Sequence, residues 1–281
     1  MTSTAEFHQN QVAYWNGAGG ARWTKESGST EKMLSRVAAL LYERVKIKAG
    51  ETVLDVGCGL GPTTIELAKQ VGPSGRAVGL DVSADMIALA RQRAAGVANI
   101  EFIAGDAASH KFPAPFAYVL FSRFGVMFFG DPAAAFANLR KAVKPNGRLA
   151  FVCWRRMSEN QWMLKPLLAA YEHLPKPPPL EPNEPGPFAF ADKERVAGIL
   201  TGAGFANPRF TPVDLDFEIG GGNGLDAAVQ QSMTIGATSR VLQDQPADVR
   251  AKVAASIRAA LAPYVKDQSI ALPGAIWIVE A

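Results

Sequence analysis

The stretch Val53-Leu54-Asp55-Val56-Gly57-Cys58-Gly59-Leu60-Gly61-Pro62-Thr63 decides the fold of this chain. An apolar, β-rich run ends in three alternating glycines, and Pro62 then suits the first turn of a helix. Strand, glycine turn and helix in that order present bare backbone beside a helix N-terminus with free N–H groups, so a ligand can come close. Dinucleotide folds carry G-x-G-x-x-G, whose third glycine would fall where Pro62 stands. The G-x-G-x-G spacing therefore disfavours a pyrophosphate cradle.

Outward from this turn, short β-rich runs alternate with helical ones from Glu51 to Trp154, which marks βαβ units and a parallel sheet. Strands are expected at Thr52–Val56, Ala77–Leu80, Ile100–Ile103, Tyr118–Phe121 and Arg148–Trp154. Asp131 and Pro132 open the helix before the fifth strand, and Lys144-Pro145-Asn146-Gly147 turns the chain into it. Ahead of the core lies a helical preface with Tyr14, Trp15 and Trp23 and an amphipathic stretch over Met33–Val45, expected to pack on a face or edge of the sheet. After the core, Glu159–His173 reads as a helix. Seven of the thirteen residues in Pro175–Pro187 are proline, so that segment is expected as an extended surface loop. A helix over Asp192–Ala203, a strand over Pro208–Phe217, a Gly220-Gly221-Gly222 break, helices over Leu225–Gly236 and Pro246–Leu261 and a last strand over Ala275–Val279 complete the chain. The expected organisation is a preface or lid over residues 1–50, a core over 51–154, and a C-terminal part over 155–281 with a cap insertion at about 222–267.

The composition is that of an ordinary globular protein: 281 residues, 48% hydrophobic and 20% charged, neither fibrous nor disordered. A formal charge of +3 is too small to argue for nucleic-acid binding. With no run of membrane-spanning length and no basic-then-apolar start, a cytoplasmic protein without a membrane span is expected. Cys58 and Cys153 lack metal-ligand spacing and should be reduced thiols, and the three histidines form no metal motif, so no metal is expected.

Three acids recur at one per βα unit: Asp55, Asp81 and Asp106. Asp81, ending Val78-Gly79-Leu80, can accept hydrogen bonds from both hydroxyls of a ribose, a feature that fits NAD equally well. Asp106, in Gly105-Asp106-Ala107, can accept from an exocyclic adenine amine. Asp55 either touches the ligand or organises the turn. Together the acids point to a nucleoside lying across strand ends.

From Leu34 to Trp154 these residues resemble the class I S-adenosylmethionine-dependent methyltransferases. Ser122-Arg123-Phe124-Gly125-Val126-Met127-Phe128-Phe129 with Asp131-Pro132, and Phe151-Val152-Cys153-Trp154-Arg155, are similar to a bacterial small-molecule branch related to the ubiquinone/menaquinone C-methyltransferase group. The resemblance implies an α/β, Rossmann-like, seven-stranded and mostly parallel sheet in order 3-2-1-4-5-7-6, with a helical cap. It implies S-adenosyl-L-methionine as cofactor, with S-adenosyl-L-homocysteine as product, and transfer of methyl to an O, N or C atom of a small organic metabolite.

By that resemblance Gly57, Gly59 and Gly61, with Asp55 and Cys58, would shape the methionine and ribose pocket. Asp81 and Val82 would hold the ribose, Met86 would pack on the adenine, Gly105, Asp106 and Ala107 would frame it, and Ser122 and Trp23 would complete the set. Tyr14, Trp15, Arg123, Phe124, Met127 and Trp154 would face the acceptor. Arg123 and His110 are the candidates for a catalytic role, and no base is assigned. The segment Ser122-Arg123-Phe124-Gly125 lacks the Asn/Asp-Pro-Pro-aromatic pattern of enzymes acting on nucleic-acid bases, so no nucleic-acid partner is expected. A homodimer is compatible with the sequence. Two other readings stay open: a protein that binds S-adenosylmethionine without transferring methyl, and a nicotinamide oxidoreductase.

Overall fold

The structure is a computed structural model and describes residues 4–176 and 184–281. Five parallel strands, β1 (Thr52–Val56), β2 (Arg76–Asp81), β3 (Ile100–Ala104), β4 (Ala117–Arg123) and β5 (Val143–Trp154), form most of one sheet. β8 (Ser269–Glu280) runs antiparallel to β5, and β6 (Arg209–Ile219) pairs antiparallel with β8 at the edge. The order is β3-β2-β1-β4-β5-β8-β6, and β7 (Val265–Lys266) pairs only with β8. The expected Rossmann-like class and order are therefore found, with one short strand more. Because the winding reverses between β1 and β4, the carboxyl ends of these two strands part and open a crevice.

The helices form where the sequence caps them. α4 (Pro62–Val71) starts with Gly61 at its N-cap and proline in its first turn. Ser83 accepts from the Met86 N–H at the start of α5 (Ala84–Arg93), Asp131 from Ala134 at α6 (Pro132–Arg140), and Asp192 from Glu194 and Arg195 at α8 (Lys193–Gly202). The preface holds α1 (Thr4–Trp15), α2 (Ala18–Lys25) and α3 (Ser27–Val45). α3 buries Leu34, Val37, Leu41 and Val45, and its Tyr42 stacks on Phe121 of β4 at 5.6 Å. Arg148 fastens the end of α3 to the sheet, donating to the Val45 and Lys46 carbonyls and to both oxygens of Glu51. Burial raises the Glu51 pKa, yet the bonds from Arg148 and the Lys48 N–H outweigh it and hold the carboxyl below its ordinary value.

Four expectations are corrected. The ladder of β5 begins at Val143, and its pairing with β4 jumps from Ala117↔Val143 to Val119↔Arg148, so Lys144–Gly147 bulges out of a strand instead of preceding one. β8 is longer than Ala275–Val279. Pro273 and Gly274 look like breakers, but β5 pairs only with the stretch from Ile276 to Glu280, so there is no β5 ladder for Pro273 to interrupt. Residues Ala237–Val241 form a further short helix, α10, between α9 (Gly224–Thr234) and α11 (Ala247–Leu261). Of the proline-rich segment, residues 177–183 lie outside the described residues. Its far end is not a surface loop: Pro185 and Gly186 are buried, and the Gly186 N–H donates to the Met127 carbonyl.

The turns after β1 and β4 meet through two glycines. A methyl at Gly125 would stand 2.6 Å from the Val56 carbonyl oxygen and 2.7 Å from the Gly57 Cα, both rigid backbone atoms. Gly125→Ala should cost about 1–3 kcal/mol in urea unfolding. Gly198→Ala, in α8 with open space around the added methyl, should instead stabilise by about 0.4–1 kcal/mol. Equal effects at the two sites would contradict this account of the β1–β4 crevice.

Candidate functional site

At the end of β1 the backbone turns through left-handed conformations at Gly57 (φ 68°), Gly59 (φ 54°) and Gly61 (φ 78°), which L side chains rarely adopt. The Gly57 N–H donates to the Leu80 carbonyl, and the Gly59 N–H to Asp81 Oδ2 at 2.8 Å. Asp81 Oδ1 accepts from the Ser83 N–H at 2.9 Å. Burial raises the Asp81 pKa although these amides favour its charge. The carboxylate thus has backbone donors, no cationic partner among the described residues, and lone pairs to spare. A side chain built on Gly59 would meet only Met86 Sδ at 3.8 Å and Trp23 Nε1 at 3.9 Å, so this residue keeps a gap open between those two groups.

One continuous cavity runs along the strand ends from Asp106 and Ala107, past Asp81, Val82 and Met86, over Gly57, Cys58 and Gly59, to Arg123, Phe124, Met127 and Trp154. Tyr14, Trp15 and Trp23 roof it from the preface, and Gly105 lines its floor. Most of the expected site residues are therefore brought together.

Four are not. The Asp55 carboxylate, 1% exposed, turns inward and accepts the Thr63 and Thr64 hydroxyls at 2.6 and 2.7 Å, so it organises the first turn of α4. Ser122 is fully buried; its hydroxyl donates to the Val56 carbonyl and accepts from the Gly125 N–H, holding the two turns together. His110 stands apart from the cavity, its ring edge-on to Phe112 at 4.8 Å. Gly61 is a packing glycine, because a methyl there would strike the Phe102 ring at 2.7 Å.

Asp106 carries more than was expected of it. Its carboxylate accepts from the Ala108 N–H and the Ser109 hydroxyl, and His8 Nε2 of α1 lies 3.1 Å from its Oδ2. Beside it, the Asn16 side chain donates to the Val82 carbonyl and accepts from the Ala84 N–H, so α1 is tied to the sheet edge at two points. Trp15 packs edge-on against Tyr14, Trp23 and Phe128, with centroids 5.1–6.1 Å apart. Cys58 is a buried free thiol whose pKa burial pushes up, with Asp81 and Asp55 adding to the effect, so it stays protonated and unreactive.

Several lining residues escape a reading of the sequence. Arg22 Nε and Nη2, the two nitrogens of one guanidinium edge, are buried without a hydrogen-bond partner, while the group lies 5.8 Å from the Tyr14 ring centroid. Gln11 Oε1 is likewise buried and unpartnered. Trp162 and Met163 from α7 (Gln161–Ala170), and Ile235 after α9, close the cavity's far end. No local pattern announces them, because each reaches the site only through tertiary packing. The unbroken apolar Phe124–Phe129 run did mark the wall that Phe124 and Met127 supply. Phe124 itself takes a left-handed backbone (φ 66°) and stacks on Trp154 at 4.2 Å and 10°. Such a conformation at a bulky residue costs of order 1–3 kcal/mol and concentrates at functional sites.

A family model described as a methyltransferase domain matches residues 47–194. The chain is 31% identical over 198 residues to an uncharacterised 37.1 kDa protein of transposon Tn4556 from Streptomyces fradiae, covering 65% of this chain and 53% of that one. The match thus spans about half the length of that relative. It is 29% identical over 174 residues to the demethylmenaquinone methyltransferase of Staphylococcus aureus, covering 58% of this chain and 71% of the relative. Among solved structures, a phosphoethanolamine N-methyltransferase 2 of Haemonchus contortus, in complex with phosphomonomethylethanolamine and S-adenosylhomocysteine, superposes with a TM-score of 0.56 at 14% identity, over 100% of this chain and 60% of that one. At that identity the likeness concerns the fold alone.

Burial pushes the Asp55 pKa from 3.8 up to about 6, against the two threonine bonds. The folded state then holds this proton more tightly than the unfolded chain. Its contribution is favourable below pH 4 and is lost as pH rises towards 6, to a total of about 3 kcal/mol. Asp55→Asn keeps an acceptor for Thr63 and Thr64, so the difference in urea stability between variant and wild type should change across pH 4–6 and level off above it. A difference independent of pH would contradict the assignment.

Proposed function

The chain belongs to the methyltransferase-domain family, and from that premise we propose that it moves the methyl group of S-adenosyl-L-methionine to a small organic molecule. The observation that carries this reading is the pairing of bare backbone at Gly59 with the buried Asp81 carboxylate. That carboxylate already takes two amide donors and has capacity for a sugar's two hydroxyls.

The residues present suit the rest of the cofactor as well. The free edge of Arg22 offers two parallel N–H donors, the fork that a carboxylate accepts. Gln11 Oε1 offers a buried acceptor, suited to an ammonium group. Met86 and Ala107 supply apolar surface for a purine, next to Asp106.

The cofactor when bound supplies a methyl group on a sulfonium, so the new bond to the acceptor atom forms as the S–C bond breaks and its electron pair returns to sulfur. The protein's part is alignment and exclusion of water. Holding two reactants in line can account for roughly 7–11 kcal/mol of a barrier. Trp15, Trp23, Phe124, Met127 and Trp154 line the space beside Gly57 with apolar surface, which keeps water from competing for the methyl. The acceptor-facing role of Tyr14, Trp15, Arg123, Phe124, Met127 and Trp154 belongs to this proposal, and no residue here needs to act as a base if the acceptor arrives as a nucleophile.

Calorimetry with S-adenosylhomocysteine tests the reading. Asp81→Ala should weaken binding by about 1–3 kcal/mol in a folded variant. Arg22→Gln should weaken S-adenosylhomocysteine by about 1.5–3 kcal/mol and leave 5′-methylthioadenosine, which lacks the amino-acid end, unaffected. NADH bound as tightly as S-adenosylhomocysteine, or a folded Asp81→Ala variant with unchanged affinity, would overturn it.

A further inference from the structure

Arg123 leaves a charge in the crevice that nothing around it answers. It ends β4, lines the cavity beside the stacked Phe124 and Trp154, and makes no hydrogen bond or ion pair among the described residues. The acids whose fields reach it are engaged elsewhere: Asp55 with Thr63 and Thr64, Glu31 with Arg93 at 2.6 Å. Burial pushes the Arg123 pKa down, with Tyr42, Asp55 and Glu31 pulling the other way. The side chain is half-buried and meets the cavity without a partner, so an anion brought by a ligand can pair with it there.

The cofactor's own anion does not meet this need if Arg22 holds it, and the two arginines stand on different walls. Arg22 belongs to the roof of the preface, Arg123 to the sheet. Along the strand ends the order runs from Asp106 on the β3 side, through Asp81 and Gly59, to Arg123 on β4 and Trp154 on β5. A nucleoside on the acids thus leaves Arg123 and the aromatic pair to the second substrate. The left-handed backbone of Phe124 fixes that ring directly after Arg123, so charge and flat apolar surface are held at a set spacing. The guanidinium fork fits a carboxylate or a phosphate alike, but its single positive charge balances one carboxylate and would leave a doubly charged phosphate half neutralised.

We infer that the methyl acceptor is a planar, largely apolar molecule bearing one carboxylate, which Arg123 receives while the flat part lies along the Phe124 and Trp154 wall. This rests on the methyltransferase reading above and narrows it to a substrate class.

The test uses the full chain saturated with S-adenosylhomocysteine and calorimetric titration of aryl carboxylates from benzoate to 2-naphthoate, each against its primary amide. At least one carboxylate should bind about tenfold or more tightly than its amide. Arg123→Gln should abolish that preference and leave S-adenosylhomocysteine affinity within about twofold, since only the acceptor's fork is removed. Arg123→Lys, which keeps the charge without the fork, should retain part of the preference, and it decides the matter if the Gln variant does not fold. Melting of the free protein adds a readout that a structural arginine would move the other way: Arg123→Gln should melt no lower than wild type, because it removes an unpaired charge. The inference is overturned if no pair shows a preference, or if the preference survives in the Gln variant. It is overturned equally if Arg123→Gln weakens S-adenosylhomocysteine but not 5′-methylthioadenosine, which would give Arg123 to the cofactor. A wild type that fails to bind S-adenosylhomocysteine at all would instead sink the earlier reading.

Discussion

The hydrogen bond from the Gly59 amide to Asp81 joins the turn after β1 to the end of β2, and the site is built around it. It forms only because three glycines let the chain turn left-handed between strand and helix. The same bond orients the carboxylate and fills part of its acceptor capacity, so the remaining capacity points where a ligand can use it. On the other side of the turn, Gly57 and Gly125 touch through backbone alone, and the Ser122 hydroxyl pins both turns. A Cβ at either glycine would push β1 and β4 apart at the point where the crevice opens. The fold thus concentrates its steric demands where it also needs close approach.

Around this rigid floor the chain wraps elements from distant parts of its length. α1 and α2 cover the acid side, fastened by His8 to Asp106 and by Asn16 to the edge of β2. α7 and the segment after α9 cover the aromatic side with Trp162, Met163 and Ile235. The two sides differ chemically. Near Asp81 and Asp106 the wall offers acceptors for a sugar and a base; near Phe124 and Trp154 it offers flat apolar surface and an unanswered cation. A crevice graded in this way suits two unlike molecules end to end, the arrangement that the proposed in-line transfer requires.

The parts of this design that depend on local chemistry were legible in the sequence. The glycine turn, the acids ending β2 and following β3, and the caps of α5 and α6 all announce themselves within a few residues, because backbone sterics and capping act over that range. The reading of β6 over Pro208–Phe217 lies close to its bounds, whereas β8 runs well beyond Ala275–Val279, because the tolerance of Pro273 and Gly274 within it depends on which neighbour the strand has at that point. Asp55 shows the limit more sharply. Sequence placed it in register with Asp81 and Asp106 as a third acid of the set, yet its side chain faces the first turn of α4, and only the fold distinguishes an acid that serves a ligand from one that serves a helix. Arg22, Gln11 and Trp162 were silent for a related reason: each becomes meaningful only when packing leaves a polar edge unpaired or closes a cavity.

The account stands or falls on what lies between Gly59 and Asp81, and a crystal structure of the chain with S-adenosylhomocysteine measures this directly. The ribose hydroxyls should lie within hydrogen-bond distance of the Asp81 carboxylate, with the thioether against the Gly57–Gly59 backbone and the carboxylate on the free edge of Arg22. An adenosyl group bound elsewhere on the surface, or one seated in the crevice with Asp81 turned away from its sugar, would contradict the account.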